Sequence, residues 1–142
     1  MINNINSIIF DLDGTIADTS GDIKDSLKKT FVQLGFFSDE VEKKIESACI
    51  GPPLKEMIND FNLDYDDSVI DKIIIIFRKM YIESGFPKTV LYDGIQSILD
   101  LFFTLKKQVF IATNKPSIPT IKILDKLNII EKFTGIICVD TY

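Results

Sequence analysis

The sequence predicts an α/β protein in which a Rossmann-like parallel sheet of about three strands is interrupted by an all-helical insertion. Three observations support this prediction. Short apolar runs at residues 8–10, 108–112 and 135–140 have the length and composition of strands. A helical pattern separates the second run from the third, and alternating strands and helices favour a parallel sheet. Between the first two runs, residues 17–90 show helical spacing and no strand pattern.

Composition narrows the function classes. The 142 residues are 46% hydrophobic, which is enough for a core, and the net charge of −5 argues against nucleic acid or an acidic membrane surface as main partner. Histidine is absent, which excludes Ser-His and Cys-His hydrolases and imidazole zinc sites. Cys49 and Cys138 have no CxxC spacing and are predicted to be reduced core thiols of a cytoplasmic protein. The longest apolar run, residues 73–77, is too short to span a membrane.

Start and stop signals divide the chain into elements. In the insertion, Thr19 or Ser20, Ser38, the Gly51-Pro52-Pro53 break and Asp66 or Asp67 mark four helix starts, and glycines 35 and 85 mark two ends. After the insertion we predict a helix over 95–103 and a strand over 108–112. A helix over 120–127 and a strand over 135–140 follow.

The stretch Asp11-Leu12-Asp13-Gly14-Thr15 directly follows the first predicted strand. Residues i and i+2 of an extended backbone share a face, so both aspartates are expected at the carboxyl end of that strand, where open α/β sheets bind ligands. The alternative is an ordinary polar turn. A calcium loop of the EF-hand type is excluded, because its glycine position holds Ile16 and its glutamate position holds Asp22.

Together with the following Ile16-Ala17-Asp18-Thr19, this stretch closely resembles the first motif of the haloacid dehalogenase superfamily, in its phosphatase branch. Residues 50–54 resemble the cap loop of phosphoglycolate-phosphatase-like members, and residues 112–116 resemble their second motif. The resemblance covers nearly the whole chain. It implies a discontinuous core of residues 1–16 and 91–142, with a helical cap at 17–90.

The resemblance also implies roles for individual residues. Asp11 would be the nucleophile and, with Asp13, a ligand of Mg²⁺. Asp13 would act as the acid and base, which favours phosphoryl transfer over dehalogenation because a halide needs no proton. Gly14 and Thr15 would shape the phosphate-binding turn. The expected activity is hydrolysis of a small phosphorylated metabolite such as phosphoglycolate. A catalytically defective binding or interaction protein and a sugar phosphomutase are the alternatives.

In the second motif, Thr113 and the Asn114 backbone would bind the phosphoryl group, whereas the alternative is an ordinary helix cap. Lys115 is interpreted as a positioning or solvent-facing residue. Gly51 and Pro52 are candidate substrate-facing residues of the cap, with a simple helix start as the alternative.

The sequence also departs from the family pattern. A lysine, usually before proline, and an acidic Gly-Asp pair follow the third strand in the family, and this sequence reaches Tyr142 before either. Lys115, Lys122 and Lys126 precede the expected position of that lysine. We therefore expect a C-terminally truncated member whose turnover is weakened by several powers of ten, at about 1.4 kcal/mol each. Its first strand is expected to be an open edge that favours self-association.

Overall fold

The computed structural model describes residues 5–141, which fall into two compact units: residues 5–18 with 89–141, and Thr19–Lys88. In chain order the elements are β1 (Ser7–Phe10), β2 (Ala17–Asp18), α1 (Ser20–Gln33), α2 (Asp39–Ser47), α3 (Leu54–Asn59), α4 (Asp67–Glu83), β3 (Val90–Leu91), α5 (Ile95–Thr104), β4 (Gln108–Thr113), α6 (Ser117–Lys126) and β5 (Gly135–Cys138). A 3₁₀ turn, Ile130–Lys132, precedes β5. The α/β class predicted from the sequence is confirmed.

A parallel sheet of order β1-β4-β5 organises the first unit. The central strand β4 buries Val109 and Ile111, which lie on one face as the two-residue strand period requires. The strand β1 pairs with β4 alone among residues 5–141, so its predicted position at a sheet edge is confirmed there. Its predicted burial is wrong, because Ile9 is 65% exposed and Ile8 and Phe10 are only half-buried.

Two very short strands correct the prediction that residues 17–90 are entirely helical. The strand β2 pairs antiparallel with β3, so that Ala17 lies opposite Leu91 and Asp18 opposite Val90. Two residues are too few to show an alternating pattern, which explains why the sequence gives no strand signal. The domain assignment predicted from the sequence stays a prediction.

The last two elements of the first unit also have boundaries that differ from the predicted ones. The helix α6 begins at Ser117, three residues before the predicted start, because the Asp140 carboxylate accepts hydrogen bonds from the Ser117 backbone N–H at 2.8 Å and its hydroxyl at 3.1 Å. The same aspartate lies in a turn that ends β5 at Cys138, two residues before the predicted end. A tertiary contact between distant residues therefore sets both boundaries.

The second unit consists of α1 to α4, and α1 packs against α4. Its core contains Leu27, Phe31, Ile45 and Ile73, all fully buried. The four predicted helices are confirmed to within a few residues.

Both cysteines are free, but only Cys138 is buried, so the prediction of a core thiol is wrong for Cys49. None of the helices within residues 5–141 combines the length and the apolar composition that crossing a bilayer requires.

Candidate functional site

A tight turn follows β1 and is built around the carbonyl of Leu12. That oxygen accepts hydrogen bonds from the backbone N–H groups of Ile16 and Ala17, both at 3.1 Å, and from Thr15 at 3.4 Å. The Leu12 side chain is fully buried. The buried Leu12 side chain and the hydrogen bonds to the Leu12 carbonyl therefore fix the backbone of this turn, including that of Asp11 and Asp13 on either side.

Asp11 and Asp13 flank that anchor, in the turn and not on the strand from which their convergence was predicted. Asp11 is exposed, and its carboxylate accepts a hydrogen bond of 2.7 Å from the Leu12 N–H. The side chain of Asp13 is only 10% exposed and forms an ion pair of 3.2 Å with the ammonium of Lys115. Asp11 also attracts this ammonium. The two aspartates therefore share an electrostatic partner.

Lys115 lies two residues beyond the end of β4, the strand that pairs with β1. Its side chain is 5% exposed, so the solvent-facing interpretation is wrong. Burial lowers the pKa of the ammonium, although Asp13 and, to a smaller extent, Asp11 act in the opposite direction. The fold thus places a desolvated cation against the Asp13 carboxylate, where Asp11 also attracts it.

The turn residues Gly14 and Thr15 are both exposed. Gly14 has φ +74°, a left-handed conformation that L-residues rarely adopt, and a Cβ there would meet no atom within 4 Å among the described residues, its two chain neighbours apart. Its N–H donates to the Ala17 carbonyl at 3.0 Å. The conformation therefore requires glycine, and the space beside it is open.

Thr113 ends β4 at the same edge of the sheet, opposite Cys138 of β5. Its hydroxyl oxygen accepts a hydrogen bond of 3.2 Å from the Lys115 backbone N–H. Because a hydroxyl has one donor and two acceptor positions, this bond leaves its hydrogen able to donate. The alternative of an ordinary helix cap is wrong, since Pro116 occupies the N-cap position of α6.

Gly51 and Pro52 belong to the second unit, in the loop between α2 and α3. The helix α3 does begin at Leu54, which agrees with the helix-start alternative for this stretch. Gly51 has φ +128°, so this loop also depends on a glycine conformation. Contact with a substrate stays a prediction for both residues.

The residue whose importance the sequence did not indicate is Lys115. A lysine between an Asn and a Pro at the start of a helix is usually solvated. The available signal was its place after the strand that neighbours β1, because the carboxyl ends of parallel strands meet at one edge.

Comparison with known proteins defines the class of this protein. The family model for haloacid dehalogenase-like hydrolases matches residues 8–142. A phosphoglycolate phosphatase of Aquifex aeolicus is 31% identical over 138 residues, covering 95% of this chain and 61% of the relative. The structure of a haloacid dehalogenase-like hydrolase of Streptococcus pneumoniae superposes with a TM-score of 0.81 at 28% identity, covering 96% of this chain and 62% of the other.

The chain therefore belongs to the haloacid dehalogenase-like hydrolase family, as the resemblance predicted. It spans about three fifths of the length of these relatives. Another similar structure is protein tyrosine kinase A of Mycobacterium tuberculosis, with a TM-score of 0.82 at 26% identity, covering 99% of this chain and 62% of that one. Relatives of this chain thus carry names of more than one phosphoryl-transfer activity.

Proposed function

We propose that this chain is a magnesium-dependent phosphatase that hydrolyses a small phosphorylated metabolite similar to phosphoglycolate. The observation that supports it most strongly is the meeting of two aspartates and one buried lysine at the carboxyl edge of the paired strands β1 and β4. A carboxylate nucleophile and a phosphate monoester repel each other, so a hydrolytic site needs positive charge beside the attacking carboxylate. Lys115 supplies part of it.

The two aspartates also fit Mg²⁺. The ion prefers oxygen ligands and usually takes one or two carboxylates, completing its shell with waters and phosphate oxygens. Within residues 5–141 no set of three or more acidic, cysteine or histidine side chains is placed to hold a metal. A site using the carboxylate of Asp11 and the backbone carbonyl of Asp13 agrees with this. When bound, the ion neutralises phosphate charge and polarises the phosphoryl oxygens.

The proposed reaction has two displacements. First, a carboxylate oxygen of Asp11 bonds to phosphorus while the bond from phosphorus to the ester oxygen breaks, and a protonated Asp13 gives its proton to that oxygen. A water oxygen then bonds to the phosphorus of the aspartyl-phosphate while the bond from phosphorus to the Asp11 oxygen breaks, and the water gives one proton to Asp13. Inorganic phosphate leaves, Asp11 is again a carboxylate and Asp13 is again protonated. The Thr113 hydroxyl and the backbone N–H group of Asn114 would donate to the phosphoryl oxygens, and Gly14 would let the turn pass close to the phosphate.

The identity of the substrate is a further part of the proposal. The Aquifex aeolicus relative is named a phosphoglycolate phosphatase, and its identity to this chain favours a small anionic ester. Gly51 and Pro52 are proposed to face the substrate. A cytoplasmic location is proposed as well, and the free thiols of Cys49 and Cys138 agree with it.

The test is hydrolysis of an aryl phosphate and of phosphoglycolate with and without Mg²⁺. We expect magnesium-dependent turnover that Asp11→Asn lowers by about 10³-fold or more, because the nucleophile is lost. Asp125→Asn, an exposed aspartate on α6, is the matched control and should leave the rate unchanged.

Three results would redirect the assignment. Turnover that survives Asp11→Asn would contradict the proposed nucleophile. Transfer of the phosphoryl group to a sugar hydroxyl would favour the phosphomutase alternative. A folded chain that turns over no ester would favour the catalytically defective binding protein.

A further inference from the structure

Lys115 enters the proposed reaction only as a general source of positive charge, without an assigned contact to the substrate. Its ammonium lies 3.2 Å from Asp13 Oδ1, and its side chain is 5% exposed. Its backbone N–H is bound to the Thr113 hydroxyl, so the chain is fixed at the root of this side chain. The lysine is thus held by the same edge of the sheet that positions the other polar residues of the site.

The energetics of this lysine favour a role in binding. Burying an ammonium costs free energy that an ion pair returns only in part, and a buried pair is weak evidence for stability. Here the Lys115 side chain is only 5% exposed, so its ammonium has exchanged nearly all of its hydration for an enclosed position 3.2 Å from the Asp13 carboxylate. A buried ammonium that adds little to stability is expected at a functional site, where its positive charge binds an anionic ligand.

The chemistry of the side chain indicates which ligand. A lysine ammonium is a compact charge with three donors on a flexible four-carbon stem, so it can exchange one oxygen partner for another by rotation. Phosphate is a common partner of such an ammonium. The open space beside Gly14 lies on the turn that carries Asp13, so an anion bound there would be close to the ion pair.

We propose that Lys115 is a phosphate-binding residue that exchanges Asp13 for a phosphoryl oxygen when the substrate enters. The inference rests on the proposed function and adds a residue to its machinery. The ammonium keeps its three protons throughout and only its acceptor changes. Once Lys115 has turned to the phosphate, the Asp13 carboxyl is released from the ion pair and can exchange a proton with the ester oxygen or with water.

The test measures binding of inorganic phosphate to the full chain by titration calorimetry, in the presence and absence of Mg²⁺. We expect Lys115→Met to weaken phosphate binding at least tenfold, and Lys115→Arg, which keeps the charge, to restore much of the loss. Lys122→Met is the matched control, because Lys122 is exposed on α6, and it should bind phosphate as the unmodified chain does. Thermal unfolding of each variant, measured in parallel, separates lost affinity from lost folding.

A second variant keeps the inference testable if Lys115→Met does not fold. Asp13→Asn replaces the competing carboxylate with a neutral amide, which is a weaker acceptor for the ammonium and does not repel phosphate, so we expect it to bind phosphate more tightly than the unmodified chain when Mg²⁺ is absent. Weaker binding by Asp13→Asn would overturn the exchange. Equal phosphate affinity of folded Lys115→Met and the unmodified chain, or no measurable binding by the unmodified chain at millimolar phosphate, would overturn it too.

The same data distinguish failure of the inference from failure of the proposed function. Phosphate binding that depends on Lys115, in a chain that hydrolyses no ester, would support the inference and contradict the phosphatase. Magnesium-dependent hydrolysis with phosphate binding that is indifferent to Lys115 would support the phosphatase and overturn the inference.

Discussion

The ion pair between Lys115 and Asp13 gives a prediction about stability that needs no substrate. Replacing either residue leaves its partner with an uncompensated charge in a place where the two side chains are only 5% and 10% exposed. Two unit charges 3.2 Å apart attract each other by about 5 kcal/mol at an effective dielectric constant of about 20. Measured coupling between contacting residues is smaller, at about 0.5 to 3 kcal/mol. We therefore expect a coupling free energy of about 2 kcal/mol.

The assay is a double-mutant cycle in urea, followed by circular dichroism at neutral pH without Mg²⁺. Lys115→Met, Asp13→Asn and the double variant are compared with the unmodified chain. We expect Lys115→Met to be the less stable single variant, because it leaves Asp13 beside Asp11, whereas Asp13→Asn leaves an ammonium still attracted by Asp11. The double variant should lose less free energy of unfolding than the sum of the losses in the two single variants. If the two single losses add up to the loss of the double variant within about 0.5 kcal/mol, the two side chains are not coupled.

The pH dependence of the same cycle tests the lowered pKa of Lys115. Between that folded pKa and the ordinary value of 10.5, the unfolded lysine holds a proton that the folded lysine has lost. Unfolding therefore takes up protons in this window, and stability rises with pH there relative to Lys115→Met. Below the folded pKa the lysine is charged in both states and the burial penalty applies in full. If the free energy of unfolding of the unmodified chain falls with rising pH relative to that of Lys115→Met, the lowered pKa of Lys115 is contradicted.

Two further predictions concern the helical unit. The pKa of Asp66 is lowered mainly because its carboxylate accepts a hydrogen bond from the Val69 N–H at the start of α4. The ionised carboxylate should therefore stabilise the fold above the ordinary pKa near 3.8, and this stabilisation should disappear as the pH falls through the lowered pKa. Acid titration of Asp66→Ala beside Ser38→Ala, which removes a cap without a titrating group, should show a changed acid slope only in the former. Separately, Ile73→Ala should lower the free energy of unfolding by about 3 kcal/mol, because Ile73 is fully buried and the substitution leaves a cavity; a loss below about 1 kcal/mol in urea denaturation would contradict this.

The sequence predicted those features that depend on local patterns. Helical spacing and cap residues located the four helices of the second unit, and short apolar runs located the strands of the sheet. The exposure of Ile9 could not be predicted from the sequence, because an apolar run at the edge of a sheet has the same pattern as one in its centre. The early start of α6 at Ser117 was equally hidden, since it depends on Asp140, 23 residues further along.

The candidate site shows the same limit. Its two aspartates and Thr113 could be proposed because they follow the apolar runs predicted as strands, where polar residues interrupt an apolar pattern. The burial of Lys115 could not be predicted from its own neighbours, because it follows from the pairing of β1 with β4, strands about a hundred residues apart. Contacts between distant segments decide which of several exposed-looking lysines is enclosed.

The antiparallel pairing of β2 with β3 makes the helical unit separable in principle. Asp18 and Val90 lie opposite each other where the chain leaves and re-enters the first unit. Facing positions on an antiparallel pair are what a two-residue hairpin turn connects, and Asn-Gly is a favoured sequence for such a turn. Replacing residues 19–89 by Asn-Gly would connect Asp18 directly to Val90, so that β2 and β3 become the two strands of an ordinary hairpin. Engineers could thus exchange the whole helical segment for another while keeping the register of the strands that frame it.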